Sequence, residues 1–168
     1  MASLLQVYGN DESFATLQNM SAAVAPMDKD VFLCLYTKEL LSLPPATLLK
    51  YLKLARRPML WMANTAEIAN LTHNWGLLES LLDQLPPAER AEVKPMLGIY
   101  MFDYLTHDEE MPPELMESQL ATALQLLRSG RAHDVIFLGS PIVDMPLAMV
   151  ERTREWIQQH QGESIGEA

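Results

Sequence analysis

Four short apolar runs, each followed by a stretch with helical period, constrain the fold of this chain more than any other feature. The runs are DVFLCLYT (30–37), RPMLWMAN (57–64), KPMLGIYMFD (94–103) and DVIFLGSPI (134–142). None alternates apolar and polar residues for long, and unbroken runs of this length are typical of strands buried on both faces. The sequence therefore predicts four strands of a parallel sheet.

Apolar residues follow each run at the three- and four-residue spacing of a helix face. They are, in chain order, Leu48, Leu49, Leu52 and Leu54; Leu77, Leu78, Leu81, Leu82 and Leu85; Leu115, Leu120, Ala123, Leu124 and Leu127; and Met149, Val150, Thr153, Trp156 and Ile157. Another helix, over about residues 12–24, precedes the first run. This order predicts an α/β fold of about four βα units with right-handed crossovers. No linker divides the chain, so we expect a single domain over 1–160 and a disordered tail over 161–168.

Two of these units carry a resemblance to a known family. LGIYMFDY (97–104), MPPELMESQLATALQLLRSGR (111–131) and VIFLGSPIVDMPLAMVERTREWI (135–157) are similar to the last two units of an uncharacterised (β/α)8 TIM-barrel group related to glycoside hydrolases. Residues 30–93 resemble the preceding units more loosely. The resemblance implies the C-terminal half of a barrel and a glycoside-hydrolase-like activity.

The length of the chain leaves three architectures open. A complete barrel usually has about 250 residues, whereas this chain has 168 and four units. Four parallel strands cannot close on themselves, and the outer two would present unpaired edges. The chain is therefore a truncated product, a half-barrel that pairs with a second copy through exposed sheet edges, or an open flavodoxin-like sheet.

Ligands of parallel α/β folds gather at the carboxyl ends of the strands, which directs attention to the polar residues there. Asp103 ends the third run, between Phe102 and Tyr104. Burial against aromatic rings disfavours the charged form of a carboxyl group, which suits acid/base chemistry. With Glu39 it would form the carboxylate pair of a glycoside hydrolase. The alternatives are that Asp103 caps a turn and that Glu39 faces water.

Other residues at these ends are candidates for binding a small molecule or carbohydrate. They are Lys38, Asn64, Trp61, Tyr104, His107 and Ser140, with Tyr36 and Tyr100 as further aromatic rings for a sugar to stack on. Asp144 precedes the last helix, where we expect it to be the N-cap. Cys34 lies within an apolar run, which predicts a small core residue rather than a nucleophile.

Several classes of function are disfavoured by composition and missing motifs. The net charge of −10 argues against nucleic acid and anionic membranes as partners, because an acidic surface repels phosphate groups. There is no apolar stretch of membrane-spanning length and no signal-peptide pattern, so a cytoplasmic location is expected. No phosphate-binding glycine motif occurs and the four histidines are scattered, so we expect neither a cofactor nor a metal.

Two functional hypotheses follow. The first is a TIM-barrel-type, carbohydrate-active domain with Asp103 and Glu39 as the acids. The second is a non-catalytic half-barrel that self-associates or completes a partner chain. The first depends on the carboxylates at the strand ends, and the second on the shortage of strands.

Overall fold

The computed structural model describes residues 10–27, 29–62, 64–103, 109–138 and 144–163. Its helices are α1 (Asp11–Val24), α2 (Thr37–Ser42), α3 (Pro45–Leu52), α4 (Thr65–Ala69), α5 (Leu71–Leu82), α6 (Pro87–Glu92), α7 (Pro113–Arg128) and α8 (Ala148–His160), with a 3-10 turn at Ala25–Met27. Its strands are β1 (Phe32–Tyr36), β2 (Arg57–Trp61), β3 (Met96–Tyr100), β4 (Phe102–Asp103), β5 (Glu109–Glu110) and β6 (Asp134–Leu138). The predicted α/β class is confirmed.

Four of the strands form one parallel sheet in the order β1-β2-β3-β6. Each strand therefore pairs with the next unit along the chain, and all three pairings are parallel. The four strands coincide with the four apolar runs of the sequence. The remaining two, β4 and β5, make a short antiparallel ladder in which Asp103 lies opposite Glu109.

The helices cover one face of this sheet. Strands that follow one another in chain order with right-handed crossovers place every connecting helix on the same side. Leu35, Leu60 and Leu97 point to that side and are fully buried. On the outermost strand, the ring of Phe137 packs edge-on against Trp156 of α8, with 5.8 Å between ring centroids. The main core lies between the sheet and this helical layer.

The opposite face of the sheet, called the inner face below, carries the alternate residues of each strand. They are Phe32, Cys34 and Tyr36 of β1; Arg57, Met59 and Trp61 of β2; Met96, Gly98 and Tyr100 of β3; and Asp134, Ile136 and Leu138 of β6. Residues of the two central strands are buried here, except for half-buried Arg57, whereas Phe32 is 49% exposed. Cys34 is exposed as well, so the prediction that it is a core residue is wrong. Its strand lies at the end of the four-stranded order, where the core covers only the helix-facing side.

Contacts on the inner face join strands that are not neighbours. The hydroxyl oxygens of Tyr36 and Tyr100 lie 3.4 Å apart across β2. The guanidinium of Arg57 reaches Asp134 across β3, with 3.4 Å between nitrogen and oxygen, and also contacts Asp30. Strands two apart in a sheet are separated by about 9.6 Å, so each pair leans over the strand between them. Side chains grouped from alternate strands are the arrangement found inside barrels.

Prolines and glycine set the helix ends. Pro113 and Pro45 begin α7 and α3, where the missing N–H leaves no bond unmade. Gly130 follows α7 with a φ of 67°, a conformation that favours glycine. The expected N-cap role of Asp144 is wrong, because α8 begins at Ala148 after Leu147. At the other end of α8, Glu163 accepts hydrogen bonds from Arg128.

Candidate functional site

Aromatic side chains end three neighbouring strands at the carboxyl edge of the sheet. Tyr36, Trp61 and Tyr100 are the last residues of β1, β2 and β3, and all three lie on the inner face. The rings of Trp61 and Tyr100 are tilted against each other with 5.0 Å between centroids, a favourable aromatic geometry. Because Tyr36 meets Tyr100 through the hydroxyl groups, the three rings form one cluster.

The indole of Trp61 lies directly over Gly98. A Cβ atom at position 98 would be 2.2 Å from two carbons of the indole, much closer than carbon atoms pack. A residue without a side chain is therefore required for the ring to lie flat against β3. The sequence indicated the aromatic residues, but the role of Gly98 depends on a neighbour 37 positions away.

Gln119 of α7 fixes the main chain of Tyr100 from the helical side. Its side chain is 1% exposed, its Nε2 donates to the carbonyl of Tyr100 at 3.2 Å, and its Oε1 accepts from the amide of Tyr100 at 3.4 Å. The ladder between β2 and β3 ends at Leu60 and Leu97, before this position. The side-chain amide of Gln119 thus forms hydrogen bonds with the main chain of Tyr100 where the pairing between β2 and β3 has already ended. Sequence reasoning missed Gln119, although a polar residue between Met116 and Leu120 was a signal.

Asp103 is buried at this edge, with 4% of its surface exposed. It belongs to β4, three residues beyond the end of β3, and is aligned with Glu109 in the short ladder. The next residue of that ladder, Glu110, accepts a hydrogen bond from the amide of Met149 in the first turn of α8. A carboxylate at a helix N-terminus is stabilised by the helix dipole. The hairpin that carries Asp103 is therefore attached to α8.

Glu39 is also buried, at 2% exposed, and its carboxylate serves the main chain. Its Oε2 accepts from the amide of Tyr36 at 2.8 Å, in the first turn of α2. This bond satisfies one of the amide groups that a helix start leaves over. The structure thus gives Glu39 a capping position beside the aromatic cluster rather than the solvated loop position considered from the sequence.

The predicted binding residues occupy different settings. Lys38 is exposed on α2, and Trp61 belongs to the aromatic cluster. The side chain of Asn64 accepts from the amide of Glu67 at 3.0 Å, so it caps α4. Tyr104, His107 and Ser140 lie outside the described residues.

Two buried polar side chains, those of Thr37 and Asn74, contact Met62, the residue after Trp61. The hydroxyl of Thr37 and the amide of Asn74 each approach the sulfur of Met62 at 3.5 Å. Asn74 also donates to the carbonyl of Glu67 at 2.9 Å, which ties α5 to α4. These contacts hold the start of α2 and the end of β2 in place around the carboxyl edge.

Clearly lowered pKa values are found for the carboxylates of Glu79 on α5, Glu117 on α7 and Glu163, which follows α8. Hydrogen bonds from Arg131 lower the pKa of Glu79, and those from Arg152 lower the pKa of Glu117. His160 and Arg128 together lower the pKa of Glu163. In the described ranges, no three His, Cys, Asp or Glu side chains are grouped closely enough to hold a metal ion.

Comparisons with protein-family models, curated proteins and solved structures found no match. Each helix of the described part of the chain is too short or too polar to cross a membrane.

Proposed function

We propose that this domain binds a carbohydrate at the carboxyl edge of its sheet and that Asp103 supplies acid/base chemistry on it, as in glycoside hydrolases. The observation that carries the proposal is a carboxyl group buried just beyond the carboxyl end of β3, on the edge where three aromatic rings cluster. The general acid of a glycosidase is typically a carboxyl group shielded from water.

The contacts across alternate strands favour half of a TIM-type barrel over an open, flat sheet. The Tyr36–Tyr100 and Arg57–Asp134 pairs each come from strands two apart, as the side-chain layers inside a barrel do. In a barrel the inner face leads to the carboxyl rim, where catalytic residues lie. The aromatic cluster would thus form the floor of a sugar site, and Asp103 would stand at its rim.

In this proposal Glu39 acts through Tyr36 rather than on the substrate. Its carboxylate is buried and bonded to the amide of Tyr36, so it fixes the direction in which that ring leaves β1. The sequence instead paired Glu39 with Asp103 as a second catalytic carboxylate, an arrangement known from glycoside hydrolases. The two roles predict different behaviour for Glu39→Gln.

The test is hydrolysis of a panel of aryl glycosides, with thermal melting measured in parallel. Asp103→Asn should lower the rate by at least about a hundredfold, because a general acid contributes that much or more, and should leave the melting temperature close to that of the wild type. Asp11→Asn, which changes an exposed carboxylate on α1, is the matched control and should keep full activity.

Glu39→Gln separates the two roles of Glu39. Glutamine keeps an oxygen that accepts from the amide of Tyr36, so a capping residue retains most of the activity after this change. A catalytic carboxylate loses it. A wild type that neither hydrolyses the panel nor binds the parent sugars, or an Asp103→Asn variant with full activity, would remove Asp103 from the mechanism.

A further inference from the structure

The outermost strand β6 has the features of an edge that another chain covers. All five of its residues are partly exposed, and four consecutive ones, Val135 to Leu138, are apolar. Within the described residues β6 pairs with β3 alone. Natural edge strands are usually protected by lysine, proline, a bulge or an inward-pointing charge. The run DVIFL contains neither lysine nor proline, and its one charged residue, Asp134, is the first of the strand and pairs with Arg57 of the same chain.

The inner face continues this apolar surface at both sides of the sheet. Ile136 and Leu138 of β6 are partly exposed there, and Phe32 of β1 is 49% exposed. The central residues Met59 and Met96 are 7% and 3% exposed. Exposed apolar surface is thus concentrated on the outer strands, where the flanks of a second sheet would meet it.

The chemistry of the inner face selects a copy of this chain as the occupant. A barrel layer takes four side chains from alternate strands, and each layer seen here holds two: Tyr36 with Tyr100, and Arg57 with Asp134. A second copy would add the same two to each layer. Arg57 and Asp134 already pair within each copy, so the second copy adds no unpaired charge to that layer, and the tyrosine layer meets only tyrosines.

We infer that two copies of this chain associate through the exposed inner-face residues of their outer strands, with the edge of β6 in each copy against β1 of the other, as two half-barrels facing each other across a twofold axis. Four strands from each copy make eight, the number at which side chains fill a barrel. The second copy then contributes its own Tyr36 and Tyr100 to the interior below the carboxyl edge. This inference does not depend on the proposed carbohydrate activity.

Sedimentation equilibrium over about a hundredfold range of concentration tests the association, because a dimer dissociates on dilution. We expect a dimer at the upper end of the range for the wild type and a monomer for Ile136→Lys. Ile157→Lys is the matched control: Ile157 is 40% exposed on α8, away from the inner face, so this variant should remain dimeric. Added salt should strengthen the dimer, since each copy carries a net charge of −10.

If Ile136→Lys does not fold, as shown by loss of its circular dichroism signal, a second variant still tests the association. Phe32→Ser changes a residue that is already half exposed, so it should fold and still weaken the dimer. A wild type that remains monomeric over the whole range would overturn the inference. Equal weakening by the inner-face variants and by Ile157→Lys would overturn the assignment of the surface. Neither result bears on Asp103, since no sugar is present.

Discussion

Replacing Gly98 with alanine tests whether the packing of Trp61 against β3 holds the carboxyl edge together. The added Cβ would be 2.2 Å from two indole carbons and 2.6 Å from a third. Ordinary carbon contacts are about 3.5–4.0 Å, so the ring must move by more than about 1 Å. The backbone cannot give way easily, because Gly98 is aligned with Ile136 in the ladder between β3 and β6.

The expected loss of stability follows from these contacts. Overpacking a filled core usually costs about 1–3 kcal/mol, and full loss of a buried tryptophan about 3–5 kcal/mol. Trp61 is 7% exposed and would lose part of its contact with Tyr100 without leaving the protein. Alanine also restricts the unfolded chain, which returns about 0.4–1 kcal/mol. We expect a net loss of about 2 kcal/mol, or about 4–8 °C in melting temperature for a domain of this size.

Urea unfolding followed by far-ultraviolet circular dichroism gives the measurement without relying on Trp61 fluorescence. Gly76→Ala is the control, since a Cβ there meets nothing within 4 Å and α5 should gain up to about 1 kcal/mol. In a double-mutant cycle, Gly98→Ala should cost almost nothing once Trp61 is alanine, which gives a coupling of about 2 kcal/mol. A cost below about 0.5 kcal/mol, or a coupling near zero, would refute the packing argument.

Two further predictions concern stability. Gln119→Leu removes both hydrogen bonds to the main chain of Tyr100 from a fully buried position. It should lower the free energy of unfolding in urea by about 1–3 kcal/mol. A Gln119→Leu variant that unfolds at the wild-type urea midpoint would contradict this. Arg131→Met should lower the free energy of unfolding by about 1 kcal/mol at pH 7, because it removes two hydrogen bonds from Arg131 to the partly buried carboxylate of Glu79. Since Arg131 lowers the pKa of Glu79, this contribution is present above the ordinary pKa of a glutamate and is lost as the pH falls through the lowered value. The melting temperatures of the variant and the wild type should therefore converge in acid, and a difference that does not shrink as the pH falls would count against the assignment.

The four strands of the main sheet could be predicted because each is an unbroken apolar run. Such runs are expected where one face of a strand is covered by helices and the other is crowded by side chains of neighbouring strands. Most apolar residues predicted to lie on one face of each long helix are also buried, for example Leu78 and Leu82 of α5. Cys34 was assigned wrongly because an apolar run does not show which strand lies at the edge. That information exists only in the order β1-β2-β3-β6.

The candidate site was harder to predict than the fold. Asp103 was found because it ends an apolar run, and its burial agrees with the expectation. Gln119 and Gly98 were missed, because each acquires its role from a residue far away in the chain: Tyr100 for the first and Trp61 for the second. Asp144 has the residue type of an N-cap, but the helix begins four residues later.

The sequential order of the sheet also shapes how the molecule opens. Every strand pairing in it joins successive units, so no closing contact ties the first unit to the last within the described residues. Such an array can lose an outer unit while the centre stays intact, as solenoid repeats do. At concentrations where the chain is monomeric, amide hydrogens of β3, whose residues are all buried, should exchange last, and those of β6, whose residues are all partly exposed, should exchange first. The outer strands should therefore open before the central ones.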